Sequence, residues 1–275
     1  MVAGDRRITE EEVRVFREEG AVVLKGFLSE DWLQLLERGY QDVAGLVEDT
    51  GAARDGTRNL MKEGTAKASG NVARFLRDSP AGRAAADAMG SAEVRLYEDL
   101  LFVKEAGGQG QATPWHQDSP HWPVKGAMMS SLWVSLEPTT RETGSMAMVV
   151  GSHKGPLYTP NGGSVPEEWL HLVEEEEGGP LPDPGAEPER FPVRCYETER
   201  GDAVLFHPAM LHSAPGRAQP APRRTFTFRM LGDDIRWFNR AIVMQPAIRA
   251  LAMQDGEPVT APYFPVVWPA ETRTI

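Results

Sequence analysis

The chain has 275 residues, with 29 Lys and Arg against 40 Asp and Glu and a formal charge of −11. It carries no basic run to meet phosphates, which argues against a nucleic-acid surface or a polybasic membrane contact. A single cysteine, Cys195, excludes an intramolecular disulfide and a thiolate zinc site and fits a reducing cytoplasm. Asp5, Arg6, Arg7 and Glu10 to Glu12 interrupt any apolar leader, and no run of about 18 apolar residues occurs, so a soluble, intracellular, single-domain protein is expected.

Thr9 followed by Glu10, Glu11 and Glu12 predicts a helix start, and Gly20 predicts its end. The β-branched run 21–27 reads as a strand. Ser29 is expected to cap a second helix whose apolar face is Trp32, Leu33, Leu35, Leu36, Tyr40 and Val43. Residues 48–70 have no clean period and read as a loop able to order over a ligand, and 72–89 reads as one helix. Strands are expected at 94–103, 128–136, 145–150, 194–197 and 203–207. Residues 155–190 form a Gly-, Pro- and Glu-rich excursion with a short helix around 167–175. Short strands after a helical N-terminal third predict a mainly β fold, a double-stranded β-helix (jelly roll, cupin-like) with flanking helices. Its parts are a helical part over about 8–92, a core over about 93–235 and an extension over about 236–275.

The stretch 114–123 reads PWHQDSPHWP. If residues 115–119 are extended, His116 and Asp118 share one face and supply two thirds of a 2-His-1-carboxylate site of the kind non-haem Fe(II) oxygenases use. A third ligand has two candidates, His207 and His212. His207 closes an apolar strand before Pro208, which suits a ring nitrogen bonded to backbone. His212 follows Pro208 to Leu211 and opens a loop, so it is the favoured ligand. An Fe(II) oxygenase also needs two electrons, commonly from 2-oxoglutarate, whose distal carboxylate suits the planar fork of an arginine. Arg223 lies eleven residues beyond His212, with Arg224 as its rival. Arg223, Thr225, Thr227 and Arg229 would share a polar strand face suited to a cavity, and Arg224, Phe226, Phe228 and Met230 the outer one.

These segments resemble the phytanoyl-CoA dioxygenase (PhyH-like) branch of the Fe(II)/2-oxoglutarate-dependent oxygenases. The resemblance is carried by EEVRVFREEGAVVLKGFLS, LLFVKEAGGQGQATPWHQD, SSLWVSLEPTTRETGSMAMVVGSHK and GDAVLFHPAMLHSAPGR with Arg223 beyond, over most of 8–235. It implies a jelly roll with iron on His116, Asp118 and His212, 2-oxoglutarate on Arg223, and Leu100 and Trp133 lining the cosubstrate pocket. The serine often found two places beyond the distal histidine is Ala214 here, which leaves Ser213 as the candidate contact. His153 reads as a turn residue and His171 as exposed. On the substrate side, His121 and Trp122 border the pocket, with Trp237, Phe238 and Arg240 as candidates to close it.

The implied reaction consumes 2-oxoglutarate and O₂, releases succinate and CO₂, and oxidises an unactivated carbon. Related halogenases leave the carboxylate position to chloride, so Asp118 argues for hydroxylation, or for desaturation, cyclisation or epimerisation. An acidic chain without a cluster for CoA phosphates points to a small metabolite or natural-product intermediate. The competing readings are a non-catalytic jelly-roll binder, which would not need all four of His116, Asp118, His212 and Arg223, and a cupin-like isomerase, which would not need Arg223.

Overall fold

Thr9 opens the first helix as its composition predicts. Its hydroxyl accepts from the Glu12 amide at 3.1 Å, and the Glu12 carboxylate accepts from the Thr9 amide at 2.8 Å. Helix α1 (Glu10–Glu19) ends at Gly20, whose φ of 86° lies in the left-handed region, and a Cβ there would collide with Met210 and His153. Strand β1 (Ala21–Leu24) follows. In α2 (Glu30–Val43) the predicted face is buried, with Tyr40 partly so. Ser29 takes the cap position but makes no side-chain capping bond. The computed structural model describes residues 6–52, 58–105, 112–160, 171, 176–214, 222–240, 248, 250–260 and 262–275.

Residues 48–70 are not the expected loop. They form β2 (Glu48–Ala52), β3 (Arg58–Glu63) and the short α3 (Thr65–Ala68). β3 pairs with β4 (Val94–Lys104) in a register running from Asn59↔Lys104 to Glu63↔Leu100. Its structure comes from a distant partner and not from a local apolar period. The single helix expected over 72–89 is two, α4 (Gly70–Asp78) and α5 (Ala81–Met89). Pro80 lacks an amide hydrogen and holds the preceding Ser79 extended, at ψ 169°.

The remaining strands are β5 (Thr113–His116), β6 (Val124–Lys125), β7 (Met129–Ser135), β8 (Met146–Val149), β9 (Val193–Tyr196), β10 (Ala203–Phe206), β11 (His212–Ala214), β12 (Arg223–Leu231), β13 (Arg236–Trp237) and β14 (Val266–Trp268). Among the described residues, one antiparallel sheet runs β1-β10-β7-β12-β4-β3-β2 with β14 also on β4. A second sheet runs β5-β11-β8-β9. Two such sheets make the expected jelly roll, although β1, β2 and β3 bring the N-terminal third into it and β14 does the same for the C-terminal extension. The helix expected around 167–175 lies outside the described residues, apart from His171, which is exposed. No helix among the described residues is long and apolar enough to cross a membrane.

β12 presents an apolar face to the helical layer and a more polar face to the other side. Phe226, Phe228 and Met230 are fully buried against the helical layer, with Phe228 stacked on Phe75 of α4 at 5.0 Å. Thr225, Thr227 and Arg229 take the other face, opposite Phe102, Leu100 and Glu98 of β4 and Ser135, Trp133 and Ser131 of β7. The alternation read from the sequence is therefore the alternation of the fold.

Candidate active site

Three side chains from two strand ends and a turn meet beside this face. His116 closes β5, and His212 opens β11 directly opposite it in register, with ring centroids 4.1 Å apart. His212 begins a strand and not the expected loop. Asp118 is not on a strand face either: β5 stops at His116, and Asp118 leads into the 3₁₀ turn Ser119–His121 with φ −76° and ψ −42°. The turn still brings its carboxylate to 3.7 Å from His116 Nε2, and one ligand atom from each of the three residues lies within 4.8 Å of the others.

The surroundings tune these groups for a cation. His116 Nδ1 lies 2.9 Å from the Pro114 carbonyl and His212 Nδ1 2.9 Å from the Met210 carbonyl. A carbonyl only accepts, so each Nδ1 carries the proton and each Nε2 presents a lone pair. Burial, with His116 adding to it, pushes His212 down to about 4, so its ring is neutral near pH 7. Burial would raise the Asp118 carboxyl, but the Arg229 guanidinium beside it outweighs this and holds the group well below the usual carboxylate range. Two imidazole nitrogens and one carboxylate suit a divalent iron and leave further coordination positions open.

Arg229 was legible only as a member of the polar face of β12; its role in the site was not. It donates from one guanidinium nitrogen to Asp118 Oδ1 at 2.8 Å and from another to Glu98 Oε2 at 2.6 Å, and it lies over the Trp122 ring at 5.5 Å. Glu98 is pushed up to about 7 by burial, against the pull of Arg229. Its signal in the sequence was an acid in the middle of an apolar strand. Gln117, also unnoticed, donates to the Ala209 carbonyl at 2.8 Å and accepts from the Tyr158 amide at 2.8 Å, while the amides of Asp118 and Ser119 both reach the Pro208 carbonyl. The loops carrying Asp118 and His212 are thus clipped together.

At the start of β12 Arg223 is buried, donates to the Gly144 carbonyl and lies over Trp133 at 5.8 Å. Arg224 faces outward, where Glu137 accepts from both its backbone amide and its guanidinium, the latter at 2.7 Å from Nε. Leu100 and Trp133 flank Thr227 in register and are buried on the inner face. Ser213 follows His212 on β11, opposite Ala147 of β8, and Ala214 belongs to the buried cluster around Trp133.

Of the expected substrate residues, His121 is buried beside the three-residue group, with Nδ1 unpartnered. Trp122 and Trp237 pack in a cluster with Tyr97 and Phe264, so they are core and not lining. Phe238 and Arg240 line a cavity of about 810 Å³ together with Ser119, Lys125 and His207. None of His116, Asp118, His212 and Arg223 lines that cavity. His207 is structural as expected, its Nδ1 accepting from the Ala209 amide and its Nε2 donating to the Ala127 carbonyl. His153 sits in the turn Ser152–Lys154.

The model of the phytanoyl-CoA dioxygenase (PhyH) family matches residues 16–225. The chain belongs to the phytanoyl-CoA dioxygenase family. Members of that family are non-haem Fe(II)/2-oxoglutarate-dependent dioxygenases, and the His116, Asp118 and His212 group fits their iron. Among curated relatives, a probable phytanoyl-CoA dioxygenase of Caenorhabditis elegans is 28% identical over 142 residues, 49% of this chain and 42% of that protein. The L-proline trans-4-hydroxylase of Streptomyces griseoviridis is 28% identical over 130 residues, 44% of this chain and 48% of that protein. The chain thus spans about half the length of these two relatives. Among solved structures, the epimerase SnoN, in complex with Fe³⁺, alpha ketoglutarate and nogalamycin RO, superposes with a TM-score of 0.75. It is 20% identical, with 94% of this chain and 98% of that one covered, and it shares the double-stranded β-helix fold.

Proposed function

We propose that this chain is an Fe(II)/2-oxoglutarate-dependent dioxygenase that hydroxylates an unactivated carbon of a small molecule. The observation that carries the reading is the His116, Asp118 and His212 group, with ligand atoms within 4.8 Å of one another, together with the buried Arg223 on the same face of β12 as Thr225, Thr227 and Arg229. Iron and 2-oxoglutarate, when bound, supply activation of O₂, with succinate and CO₂ as co-products.

The chain's own groups place the reactants. His116 and His212 offer Nε2 because backbone carbonyls take their Nδ1 protons. Asp118 offers a carboxylate that Arg229 keeps ionised and oriented. Arg223 offers a planar fork to the distal carboxylate of the cosubstrate. Leu100 and Trp133 give the space between an apolar lining, which excludes water and strengthens the ionic contacts at each end. His121 is the nearest candidate to meet substrate.

Hydroxylation is supported by the carboxylate at 118 and by a relative named as a proline hydroxylase. The same residues would serve desaturation, cyclisation or epimerisation, which product analysis distinguishes. On this reading residues 1–275 act as one catalytic unit in the cytoplasm on a soluble small molecule. Anaerobic Fe(II) and 2-oxoglutarate added to the protein should produce a visible metal-to-ligand charge-transfer band, and O₂ should then release succinate. His116→Ala and Asp118→Ala should lose both signals. Absence of band and succinate in the wild-type protein would sink the proposal.

A further inference from the structure

The cavity of about 810 Å³ lined by Phe238 and Arg240 has no part in the scheme for iron and cosubstrate. Its volume falls in the range of small-molecule sites, roughly 300–1,000 Å³. Arg17, Lys125, Lys154 and Arg240 line it, against Glu176 and Glu177. In a chain with 29 basic and 40 acidic residues, the balance of charge is inverted here.

Arg240 pairs with Glu176, but the other three cations have no carboxylate partner among the described residues. Arg17 donates to the Ala88 and Asp87 carbonyls at 2.8 and 3.1 Å. Lys125 Nζ lies 3.4 Å from the centroid of the Phe238 ring, and Lys154 is exposed in the turn Ser152–Lys154. Cations without counter-charges around one concavity focus a positive potential there and attract anions. His153 and His207 also line the cavity, but burial pushes both rings down, so near pH 7 they add no charge.

Much of the remaining wall is apolar, with Phe16, Val124, Met129, Leu157 and Phe238. One polar atom in it is deeply buried. Ser119 is 4% exposed, and its Oγ has no hydrogen-bond partner among the described residues. A buried hydroxyl without a partner costs free energy that a ligand atom recovers on binding. Ser119 follows Asp118, and Ala209, whose carbonyl accepts from Gln117, precedes His212. The cavity therefore borders the two loops that carry iron ligands, while none of the ligand side chains lines it.

We propose that this cavity is a second small-molecule site, separate from the iron centre, for an anion with an apolar body. Lys125, Lys154 and Arg17 supply the attraction for the charge, the Ser119 hydroxyl a polar anchor, and the Phe238 side of the wall the apolar contact. The site stands whether or not the dioxygenase reading does.

Binding of two fluorescent probes to the full chain tests it. One is 1-anilinonaphthalene-8-sulfonate, and the other is N-phenyl-1-naphthylamine, the same rings without the sulfonate. The sulfonate should bind saturably at one site per chain, about tenfold more tightly than the neutral probe. Lys125 and Lys154 are exposed, so replacing both with Met leaves the core intact. That double variant should erase most of the difference and leave the neutral probe within about twofold. Ser119→Ala should weaken the sulfonate by about threefold, and an unchanged affinity would remove the hydroxyl from the site. Ala127→Trp, at an exposed position on the wall, should fill the cavity and abolish binding of both probes. Fe(II) and 2-oxoglutarate, added anaerobically, should leave the sulfonate affinity within about twofold, and displacement by them overturns the separation of the two sites. No saturable binding, equal affinity for the two probes, equal losses of both in the double variant, or binding that survives Ala127→Trp overturns the proposal. A chain that gives the expected probe results without a charge-transfer band keeps this site and loses the dioxygenase reading.

Discussion

Arg229 sits where two carboxylates compete for one guanidinium. Asp118 and Glu98 each accept from a different nitrogen, and both acids are buried. Arg229→Gln should remove the guanidinium that pairs with the buried Asp118 carboxylate, a loss on the order of 3–5 kcal/mol in stability. It should also weaken Fe(II) binding by about 10–100-fold, because an outer residue that orients a ligand acts on metal affinity. Anaerobic Fe(II) titration checks this, and wild-type affinity in a folded Arg229→Gln would show that Asp118 needs no such partner. The grouping of His116, Asp118 and His212 was legible because each is a metal-ligating residue type at or just beyond a strand end. The Arg229 bond to Asp118 spans 111 residues and depends on where a turn places one oxygen, which no local pattern encodes. Proximity in the chain to a ligand does not fix which way a side chain points, so Ser213, next to His212, had no local signal to decide its role.

At the scale of elements, β12 divides structural and chemical roles by alternation, so its two faces should respond differently to substitution. Phe228 is fully buried and stacks on Phe75, and Phe228→Ala should cost about 3–5 kcal/mol in a denaturant titration. Its effect on iron affinity should be small beside that of Arg229→Gln, one residue further along the same strand. Strands and helices with their own period, such as α1, α2 and β12, were legible. The hairpin of β2 and β3 was not, because its partner β4 lies some thirty residues on and supplies the order. The break between α4 and α5 was written in Pro80, against a helical pattern on both sides. The end of β10 gives a pH test. His207 is half-buried, its ring nitrogens engage backbone, and burial followed by His153 pushes it down to about 4. The unfolded chain then binds more protons than the folded one between about 4 and the ordinary 6.5, so stability is complete above 6.5 and falls as pH drops through that window. With its partial exposure the loss is on the order of 1–2 kcal/mol. His207→Gln should flatten the slope of stability against pH by that amount, and parallel slopes would show that the ring is not held neutral.

Across the whole molecule, the segments expected to decorate the core instead complete it. The C-terminal extension returns through β14, which pairs with Arg95 and Val94 at the start of β4, and Thr274 donates to Val266 to hold the turn behind it. Just before β14, Phe264 is fully buried against Tyr97 with rings 6.0 Å apart. Tyr97 stacks on Trp122 at 4.6 Å, and Trp122 lies under Arg229 at 5.5 Å. A continuous packed path therefore runs from the last part of the chain to the guanidinium that orients Asp118. Phe264→Ala opens a void at the far end of that path and should cost about 3–5 kcal/mol in stability. Because packed aromatics relax only in part around a void, Trp122 and with it Arg229 should shift, weakening iron binding by less than Arg229→Gln does but measurably. Denaturant midpoints and anaerobic Fe(II) titration on the same preparation separate the two effects. A destabilised Phe264→Ala that binds iron as the wild-type protein does would place the end of the brace at Trp122, leaving Asp118 and Glu98 alone to fix the position of Arg229.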